Sequence, residues 1–160
     1  MKAAAANGAG VKSRTKAGES RVYYSGNSPI LVPVSPEVGE EIERKTEWYR
    51  LKTFAQQNAF IKNLCGKIAE GFKPDKIILF GSRAYGKPRL NSDIDLLVIM
   101  PCKGDPAFTA VRILHHLDMF VSIDLLVRTA EHVRKRIAME DDFMQEVVER
   151  GKVMYEASHA

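Results

Sequence analysis

The apolar residues of this chain gather into short blocks separated by polar turns. Three blocks, KIILF at 76–80, DIDLLVIM at 93–100 and FVSIDLLV at 120–127, are rich in Ile, Leu, Val and Phe. Runs of this length and make-up predict strands. Pro101 stops the second. Other stretches carry the helical period: Ile61, Leu64, Cys65 and Ile68 fall on one face at spacings of three and four. Ser35, Pro36 and Glu37 make a helix start, with a hydroxyl cap, a proline in the first turn and then an acid. Helical character runs on to about Glu70, where Gly71 should end it and Pro74 prevent its return. A single rod over 36–70 would be long for a small domain, so a break is expected near Gln-Gln-Asn at 56–58. Further helices are predicted over 106–117, after Thr129 as a cap with Glu131 and His132 in the first turn, and over about 141–150. Gly151 and a short apolar segment to Glu156 close the pattern, while Pro29, Pro33 and Pro36 predict an extended edge strand or arm upstream. The order of elements is α/β (α+β): a small mixed sheet flanked by helices.

Composition adjusts this picture in three places. A length of 160 residues suits one domain with a real core. No apolar run nears the roughly 20 residues that span a bilayer, and the opening MKAAAANGAGVKSRTKAGES has no long apolar centre. No membrane role and a cytoplasmic location are therefore expected, with Cys65 and Cys102 reduced. The net charge of +4 belongs to the first 21 residues, which hold five basic side chains and one acid; beyond them 19 basic residues balance 19 acidic ones. A neutral body argues against broad nucleic-acid binding. Residues 1–35 read as a tail or arm, flexible over the first 20, and residues 36–160 as the folded domain with an N-terminal helical extension.

The chemistry is concentrated in ILFGSRAYGKPRLNSDIDLLVIM, residues 78–100. Side chains alternate along a strand, so Asp93 and Asp95 point to one face while Ile94, Leu96 and Val98 point to the other, toward a core. Two carboxylates this close repel and raise each other's pKa. A hard divalent cation such as Mg²⁺ relieves that repulsion. Asp124 interrupts the third apolar block, and if its strand is a neighbour then three carboxylates share a face. Such a set suits two metal ions and in-line phosphoryl or nucleotidyl displacement. Gly81 directly after a strand permits close backbone approach, and Ser82 adds a hydroxyl where a helix start would present free N–H groups. Arg83, Lys87 and Arg89 place positive charge between this turn and the aspartates. Gly81, Ser82, Arg83, Lys87 and Arg89 are thus candidate nucleotide-binding residues. Asp93, Asp95 and Asp124 are candidate catalytic and metal ligands. The adjacent His115 and His116 diverge by about 100° on a helix, which disfavours a metal pair and leaves one half-buried and one exposed. Trp48 and Tyr49 suit core or partner surface. Tyr85 can pack over the loop or meet a base.

Gly81-Ser82, ten intervening residues and then Asp93-Ile94-Asp95, with Asp124 on a later strand, resembles the nucleotidyltransferase signature of the DNA polymerase beta superfamily. The runs LFGSRAYG, SDIDLLV and GKVMYE resemble most the minimal nucleotidyltransferases that act as antitoxins beside HEPN-domain toxins. That resemblance implies a polymerase-beta-like fold, ATP as substrate and two Mg²⁺ ions, with Mn²⁺ as a substitute. Gly81 and Ser82 would hold the β and γ phosphates. Asp93 and Asp95 would touch both ions, and Asp124 would complete the ion site that activates the acceptor. AMP, or another NMP, would pass to a hydroxyl of a partner protein, a HEPN-like toxin; a homo-oligomer is compatible with the chain. The alternatives are a small-molecule nucleotidyltransferase of the aminoglycoside type and a lapsed enzyme that only covers its partner. Only 36 residues follow Asp124, too few for a sizeable acceptor-binding domain, and the expectation falls on a protein acceptor.

Overall fold

The computed structural model describes residues 21–25, 28–32 and 36–158, with side chains from Glu37 onward. The expected flexibility of residues 1–20 lies outside the described residues, as does Pro33. The chain divides into two compact units between Tyr49 and Arg50. In the first, β1 (Arg21–Ser25) pairs antiparallel with β2 (Ser28–Val32), which realises the extended segment read from the prolines. Helix α1 (Pro36–Lys45) follows, with Glu37 in its first turn and Arg44 and Lys45 in its last, the charge order that suits a helix dipole. The short α2 (Glu47–Arg50) carries a buried Trp48.

The second unit opens with α3 (Phe54–Phe72). The helical break expected near 56–58 lies earlier, at 51–53. Thr53 is the reason: its hydroxyl accepts from the Gln56 N–H at 3.2 Å, and the Gln56 side chain accepts from the Thr53 N–H at 3.2 Å. This reciprocal capping box starts a new helix at Phe54 and makes Gln56 part of the start signal. The far end also differs from expectation. Gly71 lies inside the helix and Lys73, at φ 49°, is the left-handed terminator. Gly71 serves a close approach instead, since a Cβ there would stand 2.7 Å from His116 Nε2.

The core of the unit is a mixed four-stranded sheet in the order β5-β4-β3-β6. It is built from β3 (Lys76–Phe80), β4 (Ile94–Ile99), β5 (Ile123–Arg128) and β6 (Lys152–Glu156). β3 runs antiparallel to both β4 and β6, whereas β4 and β5 are parallel and joined through α5 (Pro106–Leu117). The helices α4 (Ser82–Tyr85), α6 (Ala130–Ala138) and α7 (Asp142–Arg150) complete the unit. Thr129 caps α6 through the His132 N–H, and Asp141 caps α7 through the Met144 N–H at 2.9 Å.

Alternation sends Ile78, Phe80, Leu97 and Ile99 to one face, where they pack with Val133 of α6 and with Met144 and Val147 of α7. Ile77, Leu79, Ile94, Leu96 and Val98 fill the other face, and α3 and α5 add buried Ile61, Leu64, Ile68, Ile113 and Leu117. Both faces of β4 are therefore core, which explains its near-continuous apolar run. Ile113 and Leu117 take the buried side of α5, so His115 and His116 are both exposed, contrary to the expected half-burial of one. The His116 ring meets Phe72 edge-on at 5.4 Å. Cys65 and Cys102 are both free, and burial pushes the Cys65 thiol up to about 12, which leaves it unreactive. No helix among the described residues is long and apolar enough to cross a membrane.

The position of the break is testable. Thr53→Ala should lower unfolding free energy by about 1 kcal/mol, the usual loss for a helix cap, as a reduced urea midpoint with unchanged slope. An unaltered midpoint would show that α3 starts without the capping box.

Candidate active site

Backbone register assembles the site. In the β3–β4 pair, Phe80 lies opposite Asp95, so the turn that leaves β3 emerges beside the Asp95 carboxylate. Gly81 occupies that turn with φ 66° and ψ −152°, a conformation that side chains strongly resist. A Cβ at this position would also collide with Asp95 Oδ2 and lie 3.0 Å from Asp95 Cγ. Glycine is required here for conformation and for space together. The single turn of α4 follows, closed by bonds from the Ala84 and Tyr85 N–H groups to the Gly81 carbonyl and from the Gly86 N–H to the Ser82 carbonyl. Ser82 is half-buried beside Gly81.

The third carboxylate arrives from β5. Ile94 pairs with Ile123 and Asp95 with Asp124, and the Ile94 N–H donates to the Ser122 carbonyl at 2.9 Å. Register partners on neighbouring strands lie about 4.8 Å apart and project to one face. Asp95 and Asp124 thus share a row with Phe80 at the open end of the α6–α7 face. Asp93 stands just before β4 and is exposed, as is Asp124, while Asp95 is half-buried. Burial pushes the Asp95 carboxyl above its ordinary value, and the charges of Asp124 and Asp93 push it the same way; the Arg83 guanidinium acts against them.

Arg83, Lys87 and Arg89 divide into two kinds. The Arg83 guanidinium faces the carbonyls of loop 86–93. Its Nε donates to the Ser92 carbonyl at 3.0 Å and the Asp93 carbonyl at 3.1 Å, and its Nη2 to Ser92 at 2.7 Å and to Arg89 and Leu90 at 3.3 Å each. Burial pulls this guanidinium below its ordinary value, and Asp95 and Asp93 counter that by favouring its charge. Lys87 and Arg89 are exposed on the same loop, with the Arg89 backbone fixed by its N–H bond to Ser92 Oγ at 2.8 Å. Tyr85 packs: its ring joins the α6–α7 core cluster, and the Arg150 guanidinium carbon lies 4.5 Å from the ring centre. Gln57 is the residue that the sequence reading missed. It is 2% exposed, accepts from Arg83 Nη1 at 3.0 Å and donates from Nε2 to the Leu90 carbonyl at 2.8 Å. Its signal was available, since Gln57 stands one helical turn before Ile61 on the apolar stripe of α3.

Residues 62–160 match the family described as Polymerase beta, Nucleotidyltransferase. The chain belongs to that family. Among solved structures, a candidate nucleotidyltransferase from Sulfolobus solfataricus is 17% identical over 79% of this chain and 94% of its own, with a TM-score of 0.45. A toxin–antitoxin crystallised with AMP-PNP is 26% identical over 61% of this chain and 74% of its own, with a TM-score of 0.40. A mutant of the toxin–antitoxin MntA–HpeT is 23% identical over the same shares, with a TM-score of 0.38. No curated protein matches the chain.

Nucleotidyltransferase chemistry calls for divalent metal, and the fit can be judged from the donors. Asp93, Asp95 and Asp124 offer hard oxygen ligands, and the repulsion of Asp124 and Asp93, which adds to burial in raising the Asp95 carboxyl, is one that a cation would relieve. As the side chains stand, no group of three or more metal-ligating residues among the described residues is gathered tightly enough to enclose an ion. The donor chemistry and the strand register of Asp95 and Asp124 fit a divalent cation.

The charge on Asp95 makes a stability prediction. Its folded pKa lies above its ordinary value of 3.8. The proton-linked stabilisation is then complete below that ordinary value and is lost as pH rises through the folded one, so the ionised group burdens the fold at neutral pH. In EDTA at pH 7, Asp95→Asn should raise the melting temperature by about 1–4 °C. The gain should shrink toward pH 4, and Mn²⁺ should stabilise only the unaltered protein. A lower melting temperature for the variant in EDTA would mean that the carboxylate is a net stabilising partner.

Proposed function

We propose that the protein transfers AMP from ATP to a hydroxyl of a partner protein, in a reaction that depends on Mg²⁺ or Mn²⁺. The observation that carries the reading is the meeting of Gly81 with Asp95 and Asp124, in which the glycine turn after β3 and two register-paired carboxylates from adjacent strands come together at one end of the sheet. Asp93, Asp95 and Asp124 would hold the metal, which when bound neutralises phosphate and carboxylate charge and makes the α-phosphorus more electrophilic. The backbone of Gly81 and Ser82 and the Ser82 hydroxyl would take the β and γ phosphates, with the exposed Lys87 and Arg89 supplying counter-charge. The acceptor oxygen forms a bond to the α-phosphorus as the bond to the β-phosphate oxygen breaks, and pyrophosphate leaves with the electron pair. Asp124 takes the hydroxyl proton and releases it to water.

Two features favour a protein acceptor. Asp124 is exposed on an edge strand, which favours approach by a large molecule. The runs LFGSRAYG, SDIDLLV and GKVMYE resemble antitoxin nucleotidyltransferases, which supports a HEPN-like toxin as the partner and its modification as the means of silencing it.

Two variants test the assignment of roles. Gly81→Val should weaken Mg²⁺-dependent ATP binding more than Ser82→Ala, which removes one hydroxyl hydrogen bond worth roughly 0.5–3 kcal/mol. The opposite order in calorimetric titration would make the turn a mere connection. Asp124→Asn should slow transfer by about a hundredfold or more, the usual contribution of a general base, while part of the ATP affinity persists. Intact-mass spectrometry of a HEPN-like acceptor, with an aminoglycoside present as competitor, reads this out. A nucleotide on the drug alone would favour a small-molecule enzyme. No transfer, with partner binding that survives loss of all three aspartates, would defeat the enzymatic reading.

A further inference from the structure

We propose that Gln57 is a positioning residue for the nucleotide and metal site, acting through Arg83 to hold loop 86–93 and thereby Asp93. The inference rests on the nucleotidyltransferase reading above and concerns a residue, Gln57, outside its signature. Four carbonyls of one loop, from Arg89, Leu90, Ser92 and Asp93, turn toward a single guanidinium. The loop closes on itself through the Ser92 N–H bond to the Arg89 carbonyl at 3.0 Å and the Arg89 N–H bond to Ser92 Oγ at 2.8 Å. A guanidinium has a flexible stem and a rigid fork of five N–H donors, and contacts from outside the loop narrow the directions that the fork takes. Gln57 supplies one such contact from a long helix. Its amide oxygen takes Arg83 Nη1 and its amide nitrogen binds the Leu90 carbonyl, so one side chain grips both the arginine and the loop that the arginine holds.

Burial gives the grip its leverage. Gln57 is 2% exposed on a helix whose other inward residues are apolar. A buried amide with both ends bonded is specific in geometry, and its loss leaves an N–H of Arg83 and the Leu90 carbonyl without that partner. The backbone that Arg83 grips ends at the Asp93 carbonyl, and the same loop carries Lys87 and Arg89. Loosening it would misplace a metal ligand and two cations together.

The test compares Gln57→Leu, which removes both bonds, with Gln57→Glu, which keeps the acceptor toward Arg83. Amide hydrogen exchange and Mn²⁺–ATP titration are read on each folded variant. In Gln57→Leu the amides of Arg89 and Ser92 should exchange about tenfold faster while those of β3 and β4 keep their protection. The dissociation constant for Mn²⁺–ATP should rise about tenfold. Gln57→Glu should recover most of the loop protection, and it also serves if the leucine variant does not fold. Loosening of loop and strands together, or a loosened loop with unchanged Mn²⁺–ATP affinity, would overturn the proposal and leave Gln57 an ordinary structural amide. If the unaltered protein binds no Mn²⁺–ATP, the nucleotidyltransferase reading is what fails, and positioning fails with it even where the exchange data show the clamp.

Discussion

Like charge across one sheet row is the constraint around which this unit is built. Asp95 and Asp124 are register partners on parallel strands, and the neighbouring Asp93 adds to the repulsion at Asp95. Such a row would be intolerable in mid-sheet, where β4 is buried on both faces and Leu97 and Val98 are fully enclosed. It is tolerable only at the strand end. There α6 and α7 have finished covering Leu97 and Ile99, and Asp93 and Asp124 reach solvent. Along β4 the core residue Leu97 and the acidic Asp95 share a face and lie two residues apart. Packing therefore fixes the carboxylates to within the precision of strand register, since a slip of one residue would exchange Asp95 for a core side chain.

The glycine turn follows from the same row. β3 must run antiparallel beside β4 to bury Ile77 and Leu79, and that pairing brings the end of β3 against Asp95. Any side chain at 81 would occupy the space of the carboxylate. Backbone is what remains, and backbone N–H groups next to clustered carboxylates suit a ligand that carries both phosphate oxygens and cations. Removing Asp95 would relieve the fold and, on the proposed reading, disable the site, the usual conflict between stability and activity.

Much of this was legible because the determining signals are local. The apolar blocks marked β3 and β4 to within a residue, and Thr129 announced its helix by capping chemistry. The juxtaposition of Asp95 and Asp124 was conditional, because no local signal states which strands are neighbours; only the sheet order settles it. The break in the long helix was misplaced at 56–58, because Gln56 opposite Thr53 is half of a capping box that starts a helix. Gly71 was read as a terminator because its role depends on His116, 45 residues away. Gln57 was overlooked for a similar reason. Its partners are a loop carbonyl and an arginine 33 and 26 residues distant, and periodicity counts an amide on an apolar stripe as noise.

The basic loop shows why charge alone is a poor guide to role. Arg83, Lys87 and Arg89 carry the same sign within seven residues. Arg83 is partly buried and bonded to the loop's carbonyls, whereas Lys87 and Arg89 are exposed. A carbonyl cage satisfies a guanidinium's hydrogens without cancelling its charge, so Arg83 can order the loop and still offset the repulsion at Asp95. The anchor obeys the same logic. A carboxylate at position 57 would bind Arg83 more strongly than an amide does, but it would neutralise a cation that opposes the acidic row and could not donate to Leu90. A neutral glutamine fixes the arginine and leaves its field intact.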